Sequence, residues 1–131
     1  MAKRKRVSSR EMRTVVIPVY VSRVAPVFDF CTKALLVTMA DGSETERNEL
    51  LLRSFSLSER ATMIRKVGAT DLICCGISNV LHTILESSGV HVVPGIAGQV
   101  EEVLAAFMAD RLDQPHFRMP GHRTPLPADP A

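Results

Sequence analysis

The sequence predicts an α/β fold: one three-layer domain around a five-stranded mixed sheet. Three observations carry that expectation. Across residues 71–110, apolar runs of four to five residues alternate with runs of helical period, the pattern of β-α-β-α units that build parallel sheet. Upstream, two strand-like runs, 34–40 and 44–52, flank Asp41-Gly42, a strong hairpin signal. Ahead of both, Arg13–Tyr20 carries Val-Val-Ile without polar alternation, which reads as a central strand buried on both faces. The 131 residues are enough for one domain and one core.

Taken in order, residues 1–11 are polar and basic and read as a solvated disordered tail, or more sharply as a tether to nucleic acid or an anionic surface. In the first strand Pro18 cannot donate to a ladder, so pairing on one side ends near it. Residues 21–31 read as a loop containing Pro26. The second strand is 34–40. The third, 44–52, is more charged and suits the sheet edge. Ser56-Leu-Ser-Glu59 is a capping box that opens a helix over 57–67, closed by Gly68. A fourth strand follows over 71–75. Gly76 permits a tight turn, and Ser78 caps a second helix that runs to about 88 with Gly89 behind it. The fifth strand is 90–93. Gly95-Ile-Ala-Gly98 leads into a third helix over 99–111, with Glu101 and Glu102 in its first turn and Arg111 in its last, as the helix dipole favours. From 113 onward come five of the eight prolines, which read as a mobile tail without its own fold. The folded domain is therefore expected over 12–112. The strand order is expected to be 3-2-1-4-5, with the second strand antiparallel. The loop carrying Cys31 and the thiols of Cys74 and Cys75 then open onto one rim, the edge where open α/β sheets bind ligands.

Composition narrows the function. Hydrophobic residues make up 46% and charged residues 23%, a globular balance. The net charge of +2 hides an asymmetry: residues 11–114 hold 9 Lys and Arg against 13 Asp and Glu, so the folded part is near −4. A weakly acidic domain with no Trp and one Tyr is not a nucleic-acid surface. The run 15–21 is too short and contains Pro18, so no signal peptide is expected, and no stretch approaches a membrane span. Three cysteines, two adjacent, argue against a disulfide framework and for a reducing cytoplasm.

The soft-ligand inventory is three thiols and a few histidines. Successive residues of a strand point to opposite faces, so Cys74 and Cys75 cannot both face one ion while the strand stays regular. A free Cys is also among the most buried residue types and packs as a small hydrophobe. There is no zinc-ligand spacing. His82 and His91 read as packing or surface residues, whereas His116 and His122 fall in the proline-rich tail, where a histidine can close a site at the rim. Catalytic signatures are thin. The first strand has no carboxylate for a two-metal nuclease, and there is no Ser elbow, dinucleotide fingerprint or Walker loop. Gly98 at a helix start offers N–H groups to an anion, as any helix start does.

Five stretches, in this order and spacing, resemble the dinitrogenase iron–molybdenum cofactor biosynthesis family, the small NifX/NafY-like domain. They are Thr14-Val-Val-Ile-Pro-Val19; Val24-Ala-Pro-Val-Phe-Asp29; Gly68-Ala-Thr-Asp-Leu-Ile-Cys-Cys-Gly-Ile77; Ser88-Gly-Val-His-Val-Val-Pro-Gly-Ile-Ala-Gly98; and Val100-Glu-Glu-Val-Leu-Ala-Ala-Phe107. The tail Phe117-Arg-Met-Pro-Gly-His122 resembles an ending found in one branch of the family. The resemblance implies a ribonuclease H-like fold without nuclease chemistry, and the binding of a metal–sulfur cluster or its precursor. Many members carry His-Phe-Gly in the loop after the first strand, the His being the expected cluster ligand. Here Val27-Phe28-Asp29 stands in its place, so that ligand is missing. Cys31 is the expected substitute, with Cys75 or Cys74 and His122 as companions, because thiolates with an occasional His hold iron–sulfur clusters.

The expected function is a non-enzymatic binding or carrier protein for an iron–molybdenum or iron–sulfur cluster or its precursor, accessory to cofactor biosynthesis. It would act as a monomer or weak dimer with a cluster-donor or acceptor protein as partner. The alternative is a metal-free protein-interaction module on the same fold. A hydrolase would need Asp29 and Asp71 to converge, and the strand assignments put them at opposite edges of the sheet.

Overall fold

Val15, Val16 and Ile17 are all fully buried, and they alternate. Val16 packs into a cluster on one face of the sheet, Val15 and Ile17 into a cluster on the other. That is why β1 (Arg13–Tyr20) carries no polar alternation: it is the middle of the sheet. In this computed structural model, which describes residues 12–112 and Phe117, β3 (Lys33–Ala40) runs antiparallel to β1 from Arg13↔Met39 to Pro18↔Ala34. The ladder stops at Pro18, which has no N–H to give. β4 (Ser43–Leu51) pairs antiparallel with β3 across Asp41-Gly42, both at positive φ (54° and 77°), as a tight hairpin turn requires. On the other side, β5 (Asp71–Ile73) and β6 (His91–Val93) add in parallel. The hydrogen-bonded order is β4-β3-β1-β5-β6, which is the expected 3-2-1-4-5 path.

Helices α1 (Leu57–Lys66) and α2 (Asn79–Ser87) cover the Val16 face with Ala61, Ile64, Leu81 and Leu85. Helix α3 (Val100–Met108) covers the other with Val100, Val103, Leu104 and Ala106. The result is three layers. The capping box forms in full: Glu59 N–H donates to Ser56 Oγ and Ser56 N–H to Glu59 Oε1. All three helices close with the same C-terminal turn. Gly68, Gly89 and Asp110 sit at positive φ, and the following amide reaches back five residues, as in Ala69→Ile64, Val90→Leu85 and Arg111→Ala106.

The edges are protected. Residues 43–49 of β4 are all exposed and mostly polar or charged. On β6, the Val92 N–H is taken by the Glu86 carboxylate at 3.0 Å. The amino-terminal ends of β1 and β5 are tied by Arg13 and the fully buried Asp71, at 2.8 Å (Nη2–Oδ2) and 3.3 Å (Nε–Oδ1), with Thr70 Oγ1 donating to the same carboxylate at 2.6 Å. Arg13 also stands over the Phe107 ring, 5.2 Å from its centroid.

Four expectations change. The segment 21–31 is not a plain loop: a sixth strand, β2 (Arg23–Val24), forms a hairpin with Val19 and Tyr20, and a 3-10 turn spans Phe28–Phe30. The hairpin was hidden because its turn residue Val21 adopts φ 61°, a position that Gly or Asn normally signals. β5 ends at Ile73, so Cys74 and Cys75 lie just beyond it. Helix α3 ends at Met108, because Asp110 takes the left-handed position there, so Arg111 is not in its last turn. Phe117, inside the stretch read as a tail, packs into the second core cluster. The readings of residues 1–11 as a tail and of His116 and His122 lie outside the described residues.

Candidate thiol site at the carboxyl rim

The rim is built where β1 and β5 end. Cys74 N–H still donates to Val93 O at 3.0 Å. The loop after β6 then folds onto both cysteines: Gly95 N–H reaches Cys75 O at 2.8 Å and Ile96 N–H reaches Cys74 O at 3.0 Å. From the other side comes the segment after β2. Gly76 N–H donates to Pro26 O, and Phe28 N–H donates to Gly76 O, both at 2.8 Å. Only Gly fits there without displacement, because a Cβ on residue 76 would stand 2.9 Å from Pro26 O.

Two charged groups finish the rim. The Asp29 carboxylate accepts the Ser78 N–H at 2.9 Å, placing a negative charge at the amino end of α2. Ser78 Oγ in turn caps the Leu81 N–H. Arg60 projects from α1 into the core and is buried. Its Nη1 donates to Cys31 O at 2.7 Å and Phe28 O at 3.3 Å and stands 3.6 Å from Cys31 Sγ, while its Nε donates to Phe55 O at 3.2 Å. Its charge is therefore met by carbonyl dipoles.

Cys31, Cys74 and Cys75 all reach the rim region, and none is in a disulfide. They do not converge. Cys31 and Cys74 share the cluster under α1 and α2, whereas Cys75 belongs to the cluster under α3. The expectation that adjacent thiols face opposite sides therefore holds even past the strand end. The expectation of a rim-facing Cys31 does not: it is 7% exposed, Cys74 0% and Cys75 8%. Arg60 and the surrounding apolar side chains hold Cys31 inward. Burial raises all three thiols above the ordinary range. For Cys31 the Arg60 charge opposes the rise, while Cys74 is pushed up to about 12, with Cys75, Asp29 and Cys31 adding to it. Among the described residues no group of three or more Cys, His, Asp or Glu side chains is arranged to hold a metal ion. As folded, the thiols do not make a ready thiolate set for a cluster.

His82 pairs loosely with Glu86 on α2 at 3.6 Å, and His91 is exposed on β6, as expected of surface histidines. Asp71 opens β5, and Asp29 sits past its far end beside Ser78, so these carboxylates stand at opposite edges of the sheet. Sequence reasoning missed Arg60, Asp29 as a cap, and Phe117. Arg60 was findable, since it sits four residues before Ile64 on the apolar side of α1.

Three solved structures share this architecture. The protein PH0822 superposes with a TM-score of 0.73 at 20% identity, covering 79% of this chain and 95% of its own. A candidate dinitrogenase from Methanocaldococcus jannaschii gives 0.65 at 16% identity, covering 76% and 91%. The apo form of the orange protein from Desulfovibrio gigas gives 0.64 at 14% identity, covering 83% and 98%. At these identities the likeness is one of fold. No protein-family model matches the chain, and no curated protein matches its sequence. Among the described residues no helix is long and apolar enough to cross a membrane.

Proposed function

We propose that the chain is a non-enzymatic accessory protein of cofactor biosynthesis that binds or carries a metal–sulfur cluster or its precursor as cargo. The observation that carries this reading is positional. Every cysteine of the chain lies at the carboxyl end of the central strands, the edge at which this class of sheet takes ligands. The fold shared with a candidate dinitrogenase and with the orange protein supports it. The proposed ligands are Cys31 with Cys74 or Cys75, and His122 as the closing ligand. Phe117 anchors the chain at the rim through Ala97 N–H→Phe117 O at 2.7 Å. His122 follows five residues later, at most ~18 Å of extended chain from Phe117.

Because the thiols are buried and neutral, uptake requires a local rearrangement. The chain's own part is to bring the sulfurs together, release their protons and keep the cargo under apolar cover. Anaerobic reconstitution with iron, sulfide and molybdate, followed by metal analysis and visible absorption, tests this. Stoichiometric metal with charge-transfer bands in the wild type, lost or weakened in Cys31→Ala, is expected. No uptake by the wild type would refute it.

A second reading is favoured by a specific observation. The thiols are core residues, while Tyr20, Val21 and Phe30, at the same end of the sheet, are 69%, 81% and 80% exposed. That combination suits a metal-free interaction module that presents apolar side chains to a protein partner.

A further inference from the structure

The segment 26–31 is held down differently from the strands around it. It contributes one isolated parallel bridge, Val27↔Gly76, and otherwise no ladder. Its anchors are the two Gly76 hydrogen bonds, the Asp29–Ser78 cap, and the two carbonyls gripped by Arg60. Its internal 3-10 bonds are long: Phe30 N–H→Val27 O and Cys31 N–H→Phe28 O are both 3.3 Å. One of its side chains, Phe28, is fully buried, and another, Phe30, stands in solvent. Removing these anchors leaves the β1–β3 and β1–β5 ladders intact, because those end at Pro18 and Val16. Cys31 travels with the segment. Cys74 lies in the same cluster as Phe28 and Cys31. Cys75 lies on the opposite face, under α3.

We propose that residues 26–31 form a latched strap whose release exposes Cys31 and Cys74 together while Cys75 stays in the core. The strap is a local opening unit of the kind that lies below global unfolding in free energy. Its latches are Asp29, Gly76 and Arg60. It resolves the mismatch between three buried thiols and a cargo that needs thiolates, because two ligands become available in one motion. This consequence for cargo rests on the reading above; the motion itself does not.

The test is cysteine-resolved labelling of the full chain. Reduced protein is exposed to N-ethylmaleimide under native conditions, and each cysteine is followed by mass spectrometry. Two latch variants are compared with the wild type: Asp29→Ala, which removes the acceptor for Ser78 N–H, and Gly76→Ala, which pushes a Cβ against Pro26 O. Labelling of Cys31 and Cys74 is expected to rise in parallel, by about tenfold in Asp29→Ala, the effect of losing one charge-assisted hydrogen bond from the closed state. Cys75 is expected to keep its wild-type rate. Amide exchange at Val15 and Ile17 shows whether the sheet stays closed, and Asp29→Asn, which keeps the side-chain shape, should give a smaller rise. Equal acceleration of all three cysteines would mean global unfolding and would overturn the proposal. So would unequal acceleration of Cys31 and Cys74, or no acceleration in either variant. Parallel acceleration without metal uptake on reconstitution would keep the strap and remove the cargo reading.

Discussion

The buried thiol of Cys74 makes the protein sensitive to alkali, and the effect can be sized. In the unfolded chain it titrates near 9.0; in the folded state burial first, and neighbouring negative charge second, push it up to about 12. Above the lower value the native state holds a proton that the unfolded state has released, so stability falls as pH rises through this window and is complete below it. The slope is ~1.4 kcal/mol per pH unit for one group, so about pH 10.5 costs roughly 2 kcal/mol from Cys74 alone. Cys31 and Cys75 are shifted in the same direction and add to it. Urea denaturation of reduced protein at several pH values between about 7.5 and 10.5 measures the slope. Cys74→Ala should be less stable near neutrality, by about 1 kcal/mol for the lost packing, yet show a shallower alkaline decline. Parallel stability curves for wild type and Cys74→Ala would refute the reasoning, because every other side chain is common to both.

Three further outcomes are expected. Val21→Asn should stabilise the chain by about 1 kcal/mol in urea denaturation, since a β-branched residue at φ 61° is strained and its side chain is exposed. Phe117→Ala should cost about 3–5 kcal/mol, because Phe117 is a buried member of the second cluster, read as a lower thermal midpoint; an unchanged midpoint would show that the ring is dispensable. Asp71→Asn should cost about 1–3 kcal/mol, because it discharges a fully buried carboxylate held by Arg13 and Thr70, with loss of Val15 and Leu72 amide protection as the local readout.

What was legible in the sequence follows from the range of the forces involved. Local chemistry was readable: the capping box at Ser56 and Glu59, the Asp41-Gly42 turn, and the glycines that close α1 and α2 act within a few residues. The sheet order was readable because an unbroken apolar run has only one place, the centre, and right-handed crossovers leave few alternatives. The β2 hairpin was not, because Val21 adopts a conformation its own side chain disfavours and only tertiary bonds such as Val24 N–H→Gly98 O sustain it. The thiols were located by sequence, but their accessibility was not. Whether Cys31 faces water or Arg60 is decided by α1, which begins 26 residues later. Asp29 gives no local sign that its carboxylate caps α2, a helix that starts 50 residues further on.

The central claim is that cysteines at the carboxyl rim hold metal–sulfur cargo. It is tested most directly by anaerobic reconstitution of the intact chain beside the triple variant Cys31→Ala, Cys74→Ala, Cys75→Ala, with iron, molybdenum and sulfide measured per polypeptide. The account predicts stoichiometric, chelator-resistant metal in the wild type and none in the triple variant, provided the latter keeps its circular dichroism spectrum. Equal metal content in the two proteins, or none in either, would contradict it.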